Sequence, residues 1–380
     1  MKTLLLHFAA LPTVLALLAL PVAACSTTNS VKSGGDAGPT GPATCANPGT
    51  LANADFDTCK KCTFSPDATQ SSCKAPRVIN ACCVYLPSPQ GEVTRAIGLH
   101  RYSAPGGDKT VNLGCLSNPG ELGTSKMVTW KGFVRLFSSG GDSKDVKIQV
   151  YKEGKDGALG EAVGTPVITT GDDKPVKPQV EEWLKKCPTT DPPGCRFRSF
   201  EYPNVPTETP LIIKTSDATG GSQWAELYDY NIVFWNRNVT DNVVNHDPSV
   251  VAATDLNTVA SAAGGFTIQP TMGLLAGEVH DCGDVRLGGA FVDTDLKHES
   301  DAFYFGENET DPLPDKSRLS QGTSTLGLFG MLNIPTGKPL RLSAVGRVNG
   351  QTTLIGTYTV QTFPGAVTAL SLRGRRPWQK

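Results

Sequence analysis

A twelve-residue pattern occurs twice in this chain, and it limits the possible folds more than any other feature of the sequence. Residues 200–211 and 329–340 both read Phe-x-x-x-Asn-[Val/Ile]-Pro-Thr-x-x-Pro-Leu, so seven of the twelve positions match. Each copy continues into an alternating apolar segment, which is typical of a β-strand. The match indicates an internal duplication, and a duplicated chain is expected to build one structural unit twice.

The duplication continues upstream of both copies. Residues 132–136 and 277–281 are short alternating segments that begin with glycine, and each is followed by a turn and a second alternating segment. Glycine and proline supply 40 and 28 of the 380 residues and punctuate the chain throughout. Short strands divided by such turn residues predict an all-β protein of the sandwich type.

Several residues of the second copy resemble the pattern of a known family. They are Gly277, Val279, Ala290 and the segments 325–329 and 334–337. Together they make residues 273–372 similar to a carboxypeptidase regulatory-like domain. The resemblance implies the transthyretin-like, or prealbumin-like, β-sandwich of that family for the second half of the chain.

The first copy departs from this family at two positions. Arg198 and Glu208 stand where Gly327 and Gly337 stand in the second copy. The first copy is therefore interpreted as a divergent relative of the second. The fold class expected for the whole chain is all-β, with two tandem transthyretin-like β-sandwich domains preceded by a small disulfide-rich segment.

The domain boundaries follow from the repeat and from composition. We expect a lipoprotein signal peptide at 1–24, a lipid anchor and flexible tether at 25–44, a cysteine-rich disulfide segment at 45–90, a divergent β-sandwich at 91–240 and a carboxypeptidase regulatory-like β-sandwich at 250–374. Residues 254–264 predict a short helix at the start of the last domain. Thr254 or Asp255 is a suitable N-cap for this helix, and Gly264 is a suitable C-cap.

The amino terminus reads as an export signal. Lys2 gives a positive start, residues 4–20 form an apolar run, and small residues lead to Cys25. This order is typical of a secretory signal peptide, and its ending resembles the bacterial lipobox, in which the cysteine receives the lipid. The resemblance implies that Cys25 anchors the protein to a membrane, and Ser26 implies sorting to the outer membrane. The alternative is an ordinary signal peptide cleaved near Ala24.

The cysteine content fits an exported protein. Without the lipidated Cys25, ten of the eleven cysteines remain, and an even number in an oxidising compartment predicts five disulfides. The candidates are Cys45, Cys59, Cys62, Cys73, Cys82, Cys83, Cys115, Cys187, Cys195 and Cys282. Cys187 and Cys195 bracket a proline-rich insertion and are expected to pair, which leaves Cys115 for Cys282 by elimination.

The motifs of common catalytic and cofactor sites are absent from the sequence. It contains no Gly-x-Ser-x-Gly, His-Glu-x-x-His, Gly-x-x-x-x-Gly-Lys-[Ser/Thr] or Gly-x-Gly-x-x-Gly pattern. Cys59 and Cys62 have the spacing of a redox or zinc motif, but neither a βαβ unit nor a second cysteine pair accompanies them. No histidine after the signal has a glutamate three residues on, so the zinc site of a carboxypeptidase is not expected. We therefore expect no metal and no cofactor.

Two clusters invite a ligand but have simpler interpretations. Trp224, Tyr228 and Tyr230 fall at even positions of one predicted strand, so they share a face and could stack on sugar rings or dock a protein; a buried aromatic ladder is the alternative. The acidic cluster at residues 293–301 has a spacing that suits calcium, but it lacks the glycine and distal glutamate of an EF-hand, and a solvated loop is the alternative.

Other polar groups have structural interpretations. His280, Asp281 and Asp284 are expected to be turn residues, and the arginine-rich residues 373–376 are expected to form a solvated basic tail. The formal net charge is −1, which argues against nucleic acid as a partner. The partners expected instead are the membrane, through the lipid anchor, and a surface protein or carbohydrate.

These features favour a non-catalytic cell-surface lipoprotein that has a binding or structural role. Recognition is expected in the long loops at residues 172–195 and 305–322, because loops at the ends of a sandwich vary without disturbing the core. The alternative is a secreted hydrolase whose active site has no recognisable motif. The absence of nucleophile and metal signatures favours the first interpretation over the second.

Overall fold

The computed structural model describes residues 77–78, 85–86, 98–102, 110–137, 141–169, 195–294, 302–308, 312–348 and 351–379. The predicted signal peptide, Cys25, the tether and the six clustered cysteines lie outside these residues. Cys187 and most of the acidic cluster also lie outside them. The expectations for those segments remain predictions.

The described residues are mostly β-structure, which confirms the all-β class. The strands of the first part are β1 (Arg77–Val78), β2 (Tyr85–Leu86), β3 (His100–Arg101), β4 (Met127–Phe133), β5 (Arg135–Leu136), β6 (Gly141–Asp142), β7 (Val146–Glu153), β8 (Leu159–Ile168), β9 (Cys195–Arg196), β10 (Ser199–Pro206), β11 (Leu211–Asp217), β12 (Leu227–Ile232), β13 (Val243–Asn245) and β14 (Ser249–Val250). The strands that follow are β15 (Gly273–Val279), β16 (Leu287–Gly288), β17 (Phe291–Thr294), β18 (Phe303–Tyr304), β19 (Leu328–Ile334), β20 (Pro339–Val348), β21 (Gln351–Gln361) and β22 (Val367–Leu372).

One α-helix, α1 (Ala253–Gly264), lies among the described residues and confirms the predicted helix. The helix begins one residue earlier than expected and ends at Gly264 as expected, but neither predicted cap is the observed one. Ala252 is the N-cap and makes no side-chain capping bond, while Gly265 is the C-cap with φ 77°. Glycine suits this left-handed position because it has no Cβ. Short 3-10 turns occur at Gly114–Leu116, Lys155–Gly157, Asn236–Asn238 and Lys316–Ser320.

An eight-stranded sheet runs through both halves of the described chain. Its strand order is β18-β19-β15-β22-β12-β11-β7-β8. The last strand, β22, lies between β15 and β12 and is parallel to both. Two three-stranded sheets, β10-β4-β13 and β17-β20-β21, complete the main architecture. The predicted boundary between two domains is therefore not a break in strand pairing.

The sequence duplication appears as two sets of equivalent strand pairs. Phe200 is paired with Gly132 in the first set, and Phe329 is paired with Gly277 in the second. In each set the register shifts just before the motif's Val or Ile, which indicates a β-bulge at the same place. We refer to residues 127–250 as the first repeat and to residues 273–372 as the second repeat.

The equivalence extends to the strand that closes each set. In the first repeat, β13 runs parallel to β4, with Val243 opposite Thr129. In the second, β22 runs parallel to β15, with Val367 opposite Leu274. The same motif thus directs the same local pairing in two distant parts of the chain.

The matched glycines explain why the pattern is restrictive. A Cβ on Gly132 would overlap the backbone oxygen of His246, and a Cβ on Gly277 would overlap that of Leu370. His246 and Leu370 follow equivalent positions of β13 and β22. Because a backbone oxygen cannot move aside as a side chain can, both positions require glycine.

The motif asparagines occupy the bulges. Asn204 and Asn333 have φ values of 56° and 54°, a left-handed conformation that asparagine tolerates better than most residues. Glu208 also has a positive φ, 51°, where the second repeat has Gly337 at 76°. The Glu208 carboxylate compensates by accepting the backbone N–H groups of Asn236 and Gly123 at 2.6 and 3.0 Å.

The two small sheets cover opposite faces of the eight-stranded sheet. Alternate side chains of β11 show this arrangement: Leu211 and Ile213 join a core with Trp130 and Tyr202, whereas Ile212 joins a core with Phe329 and Leu342. Successive residues of a strand point to opposite faces, so these two cores lie on either side of the shared sheet. A third core contains Leu274 and helix residue Ala260.

Each core includes large aromatic side chains in close contact. Trp130 meets Phe200 edge-on with ring centroids 4.6 Å apart, and it also packs against Phe234 at 5.3 Å. Phe291 meets Tyr304 edge-on at 6.0 Å in the other core. Such pairs add packing energy beyond the area that they bury. No helix in the described part of the chain is long and apolar enough to cross a bilayer.

Candidate ligand-binding cleft

The three aromatic residues proposed for ligand stacking are buried, which corrects that hypothesis. Trp224, Tyr228 and Tyr230 are 6%, 5% and 0% exposed. They also do not share one face, because Trp224 lies outside β12 and packs in the first-repeat core, while both tyrosines pack in the second-repeat core. Residues 225 and 226, between Trp224 and β12, are not part of a strand, so the alternation counted from Trp224 does not apply.

Hydrogen bonds and ring contacts give these aromatics structural roles. The Trp224 indole N–H donates to the backbone oxygen of Lys144 at 2.9 Å, and the Tyr230 hydroxyl donates to that of Gly157 at 2.9 Å. The Tyr228 ring stacks on Phe363 with centroids 4.0 Å apart. None of the three offers a free face to a sugar ring.

The Cys115–Cys282 disulfide is confirmed among the described residues. It joins the 3-10 turn at Gly114–Leu116 to the turn between β15 and β16 across a sequence separation of 167 residues. The backbone N–H of Cys282 donates to the backbone oxygen of Asn112 at 2.8 Å, which adds a second link. The turn that carries Cys282 is thereby fixed to the segment that precedes β4.

Asp281 organises the turn around Cys282, as the sequence predicted for a turn residue. It is fully buried, and its Oδ1 accepts the backbone N–H groups of Gly283 and Val285 at 2.8 and 3.1 Å. Its Oδ2 accepts the N–H of Asn112 at 3.1 Å and lies 3.0 Å from Arg101 Nε. A buried carboxylate is stable when it is paired and hydrogen-bonded in this way.

His280 and Asp284 belong to a chain of charges rather than to a simple turn. His280 Nε2 lies 2.6 Å from Glu278 Oε2, and its Nδ1 lies 2.7 Å from Asp284 Oδ1. Burial alone would lower the pKa of His280, but the two carboxylate hydrogen bonds outweigh it and raise the pKa. Arg286 binds the other side of Glu278 at 2.9 Å, and Arg373 binds Asp284.

A cavity of about 540 Å³ lies beside this chain of charges. The end of β12, the end of β22 and the Cys282 turn form one wall, and β13 and the residue after it form another. A smaller cavity of about 150 Å³ shares Trp235, Arg237 and Arg376 with it. We refer to the larger cavity as the arginine cleft, because Arg135, Arg237, Arg373 and Arg376 line it.

The interpretation of residues 373–376 as a solvated basic tail is wrong. Arg373 and Arg376 line the cleft, and the chain beyond them folds back onto the second repeat. The Trp378 indole N–H donates to the Tyr358 hydroxyl at 2.9 Å, and the Gln379 side chain donates to the backbone oxygen of Thr357 at 2.5 Å. These contacts hold the arginines in place.

Four polar side chains at the cleft have atoms that make no hydrogen bond. These atoms are Asn231 Oδ1, His246 Nε2, Arg373 Nε, and both Nε and Nη2 of Arg376. Asn231 is 1% exposed, and its amide nitrogen donates to the backbone oxygen of Ser371 at 2.7 Å. That bond fixes the orientation of the amide and leaves the oxygen as the available group.

Arg376 lies close to two tryptophan rings. Its guanidinium carbon is 4.8 Å from the centre of the Trp378 ring and 5.8 Å from that of Trp235. Burial lowers its pKa to about 9, and the positive charge of Arg373 adds to this effect. The aromatic faces attract the cation but do not neutralise it.

His246 faces the cleft as a neutral imidazole. Burial lowers its pKa to about 4. Its backbone oxygen accepts the Trp130 indole N–H at 2.8 Å, and its ring packs 5.9 Å from that of Phe234. The free Nε2 can therefore donate or accept a hydrogen bond, depending on the tautomer, without carrying charge at neutral pH.

The structure also bears on the acidic cluster that suggested calcium. Asp293 is 4% exposed within β17, so it points into the protein and not into a solvated loop. Residues 295–301 lie outside the described part. Among the described residues, no group of three or more His, Cys, Asp or Glu side chains could hold a metal ion.

Comparison with known proteins leaves the family of this chain open. No protein-family model matches it, and no curated protein does. Among solved structures, a mutant of the shaft pilin SpaA from Lactobacillus rhamnosus GG is similar with a TM-score of 0.16 and 10% identity, over 66% of this chain and 100% of the pilin chain. A similarity at that level does not define a shared fold, so the fold class rests on the strand pairings.

Sequence reasoning missed most of the cleft. Asn231, His246 and Arg237 come from different strands and turns, and no spacing pattern connects them. The sequence signals were the run of arginines at residues 373–376 and the turn residues His280, Cys282 and Asp284, none of which was expected to line a cavity. Because β22 ends at Leu372 near the turn that carries Cys282, Arg373 and Arg376 line the cleft.

Proposed function

We propose that this chain is a non-catalytic, lipid-anchored protein of the bacterial outer membrane that binds a ligand in the arginine cleft. The observation that carries the proposal is the buried Asn231, which lines the cleft and whose Oδ1 has no hydrogen-bond partner among the described residues. A buried polar atom in that state costs about 1–3 kcal/mol, which a ligand donor would offset. The cleft volume of about 540 Å³ suits a small molecule or one residue of a larger ligand.

The proposed architecture is two tandem transthyretin-like β-sandwich domains that share a sheet. The support is the matched pairing of Gly132 with Phe200 and of Gly277 with Phe329, together with a separate core for each repeat. A disulfide-rich segment and a flexible tether would connect this rigid body to the lipid on Cys25. The loops at residues 172–195 and 305–322 remain predicted as further recognition surfaces for a protein or carbohydrate.

A hydrolase with an unrecognised active site is the alternative. Among the described residues, His280 is the histidine most closely surrounded by carboxylates: both ring nitrogens contact one, and these hydrogen bonds raise its pKa and so favour the protonated ring. A protonated imidazole with both nitrogens occupied is a poor general base. These properties favour a role for His280 in ion pairs over a role as a general base.

The anchor is tested by Cys25→Ala. We expect the variant to leave the membrane fraction or to accumulate as unprocessed precursor, because the substituted residue cannot carry the lipid. The measurement is fractionation together with gel mobility or intact mass. A variant that fractionates and migrates like the wild type would show that the anchor lies elsewhere.

The binding function is tested by filling the cleft. Asn238 is exposed and lines the cleft, so Asn238→Trp should block it while leaving the core intact. The control is Lys338→Trp at an exposed turn outside the cleft. We expect saturable binding of the full-length chain to a glycan or protein array, lost in the first variant and kept in the control.

The same full-length proteins are assayed with ester, peptide and glycoside substrates. We expect no turnover above the buffer rate. Turnover that disappears in His280→Ala while array binding is retained would replace the binding proposal with the hydrolase.

A further inference from the structure

The groups that face the arginine cleft define the chemistry of its ligand. Arg376 contributes two N–H positions without an acceptor, and Arg373 contributes one. Arg376 is partly exposed as a residue, but these two nitrogens are buried, so water competes less for their hydrogen bonds than it does at the surface. These donors fit the oxygens of an anion, because a guanidinium binds carboxylate and phosphate groups through paired N–H donors.

The charge balance of the cleft also indicates an anionic ligand. Four arginines line the larger cavity, and Asp284 is the one carboxylate among the described residues that line it. Two of these arginines already have partners, since Arg135 pairs with Asp247 at 3.0 Å and Arg373 pairs with Asp284. Among the described residues, neither Arg237 nor Arg376 forms an ion pair, and Arg376 Nε and Nη2 have no hydrogen-bond partner. Arg237 is exposed to water, whereas Arg376 is partly buried, so the positive charge is least compensated at Arg376.

A second requirement comes from Asn231. Its Oδ1 accepts hydrogen bonds and is buried, so it requires a donor rather than an anion. The neutral His246 lies in the same cavity and can serve as either donor or acceptor. A ligand that satisfies all of these groups carries an anionic oxygen group together with a hydroxyl.

We infer that the arginine cleft binds a small hydroxylated oxyanion, with a carboxylate or phosphate on Arg376 and a hydroxyl on Asn231. Acidic sugars and sugar phosphates have this combination. Trp235 and Trp378 flank Arg376 and hold its guanidinium in position for the anion. The inference rests on the proposed function, because it names the ligand class of the same cleft.

The inference is tested by calorimetric titration of the full-length chain in detergent. The probes are glucuronate, glucose 6-phosphate, inorganic phosphate and neutral glucose at constant ionic strength. Glucuronate and glucose 6-phosphate separate a carboxylate from a phosphate ligand, and inorganic phosphate reports the anion without the sugar hydroxyls. We expect at least one sugar anion to bind about tenfold or more tightly than glucose and inorganic phosphate, a difference of about 1.4 kcal/mol.

Two charge variants connect that binding to the cleft. Arg376→Gln and Arg237→Gln each remove one lining arginine, and Lys338→Gln removes an exposed charge elsewhere. We expect Arg376→Gln to weaken the sugar anion about tenfold or more, Arg237→Gln to weaken it less, and Lys338→Gln to have no effect. Thermal melts of each variant check that the fold is retained.

The inference fails if glucose binds as tightly as the anions, if no anion binds at about 10 mM, or if Arg376→Gln keeps full affinity. A neutral glycan or a protein whose binding is blocked by Asn238→Trp but not by Arg376→Gln would also overturn it. That last result would leave the proposed binding function intact. If Asn238→Trp leaves the binding of every ligand unchanged, both the inference and the proposed binding function are overturned.

Discussion

The two repeats pair their strands alike but differ at the strand that closes each set. In the second repeat, β22 pairs with β15 on one side and with β12 on the other. In the first repeat, the equivalent strand β13 pairs with β4 and is the edge of its three-stranded sheet. The arginine cleft lies beside this edge, with Val244, Asn245 and His246 in its wall. The cavity therefore lies where the closing strand of one repeat has no second strand partner, whereas the equivalent strand of the other repeat is paired on both sides.

The largest effect is expected from the two glycines that define the equivalence. Gly132→Ala and Gly277→Ala each place a Cβ against the backbone oxygen of the neighbouring parallel strand. We expect each to lower the free energy of unfolding by about 4 kcal/mol or more, because the backbone cannot move aside without breaking the sheet. Urea denaturation of the full-length chain measures the loss.

The matched control is Gly220→Ala. A Cβ there meets no atom within 4 Å, although its φ of 72° costs a modest strain. We expect a loss of about 1 kcal/mol. If Gly132→Ala is tolerated while Gly277→Ala is not, the two repeats are not equivalent at this position.

A slightly smaller effect is expected from the disulfide, which joins Cys282 of the second repeat to Cys115 in the segment before β4 and has no counterpart among the described residues of the first repeat. The Cys115→Ser, Cys282→Ser double variant opens a link across 167 residues of sequence. We expect a loss of about 3–5 kcal/mol in unfolding free energy, because the unfolded chain gains freedom. Denaturation with and without reductant measures it. A reductant effect as large in the variant as in the wild type would assign the loss to another bond.

Substitution of the motif asparagines is expected to have an intermediate effect on stability, and this effect should differ between the two repeats. Asn333 is buried, accepts the N–H of Gln269 at 2.9 Å and donates to the backbone oxygen of Thr267 at 3.0 Å. Asn204 has the same backbone conformation but is exposed. We expect Asn333→Ala to cost about 2–3 kcal/mol and Asn204→Ala about 1 kcal/mol.

Substitution of each asparagine by glycine separates the cost of backbone strain from the cost of lost hydrogen bonds. We expect Asn204→Gly to be near neutral, since only the left-handed conformation is at issue, while Asn333→Gly should remain costly. Thermal melts of the four variants provide the comparison. Equal losses at Asn204 and Asn333 would contradict the assigned role of the Asn333 side chain.

The smallest effect concerns a contact between the repeats and depends on pH. Glu153 of β7 accepts the Tyr358 hydroxyl of β21 at 2.7 Å, and burial raises the pKa of Glu153 to about 7 from an ordinary 4.5. The folded state therefore holds a proton between pH 4.5 and 7 that the unfolded state releases, and stability falls as pH rises through that window.

Glu153→Gln removes this titration and keeps an oxygen acceptor for Tyr358. We expect the variant to be about 1–2 kcal/mol more stable than the wild type at pH 8 and close to it at pH 5. Melting curves across this pH range measure the difference. A wild type whose stability rises from pH 5 to pH 8, with the same slope in the variant, would show that Glu153 is ionised in the folded protein.

The sequence predicted local structure well and long-range assembly poorly. The two motif copies, their glycines and helix α1 follow from residue patterns, because each reflects short-range geometry. The insertion of β22 between β15 and β12 has no local pattern, since it depends on which sheet edges meet after folding. The cleft depends on that same assembly, so neither Asn231 nor His246 could be assigned from spacing. The even positions of Trp224, Tyr228 and Tyr230 misled because the strand begins only at Leu227.

The central position of β22 determines when the protein can finish folding. This strand follows β12 and β15 in the chain, so both of them are synthesised before the partner that they share. Until it arrives, β12 and β15 each present an unpaired edge, and exposed edges recruit other chains into aggregates. Completion of the sheet must therefore wait for β22, and a chain truncated before this strand should leave the edges of β12 and β15 exposed. The eight-stranded sheet is therefore complete only when β22 has paired with both β12 and β15.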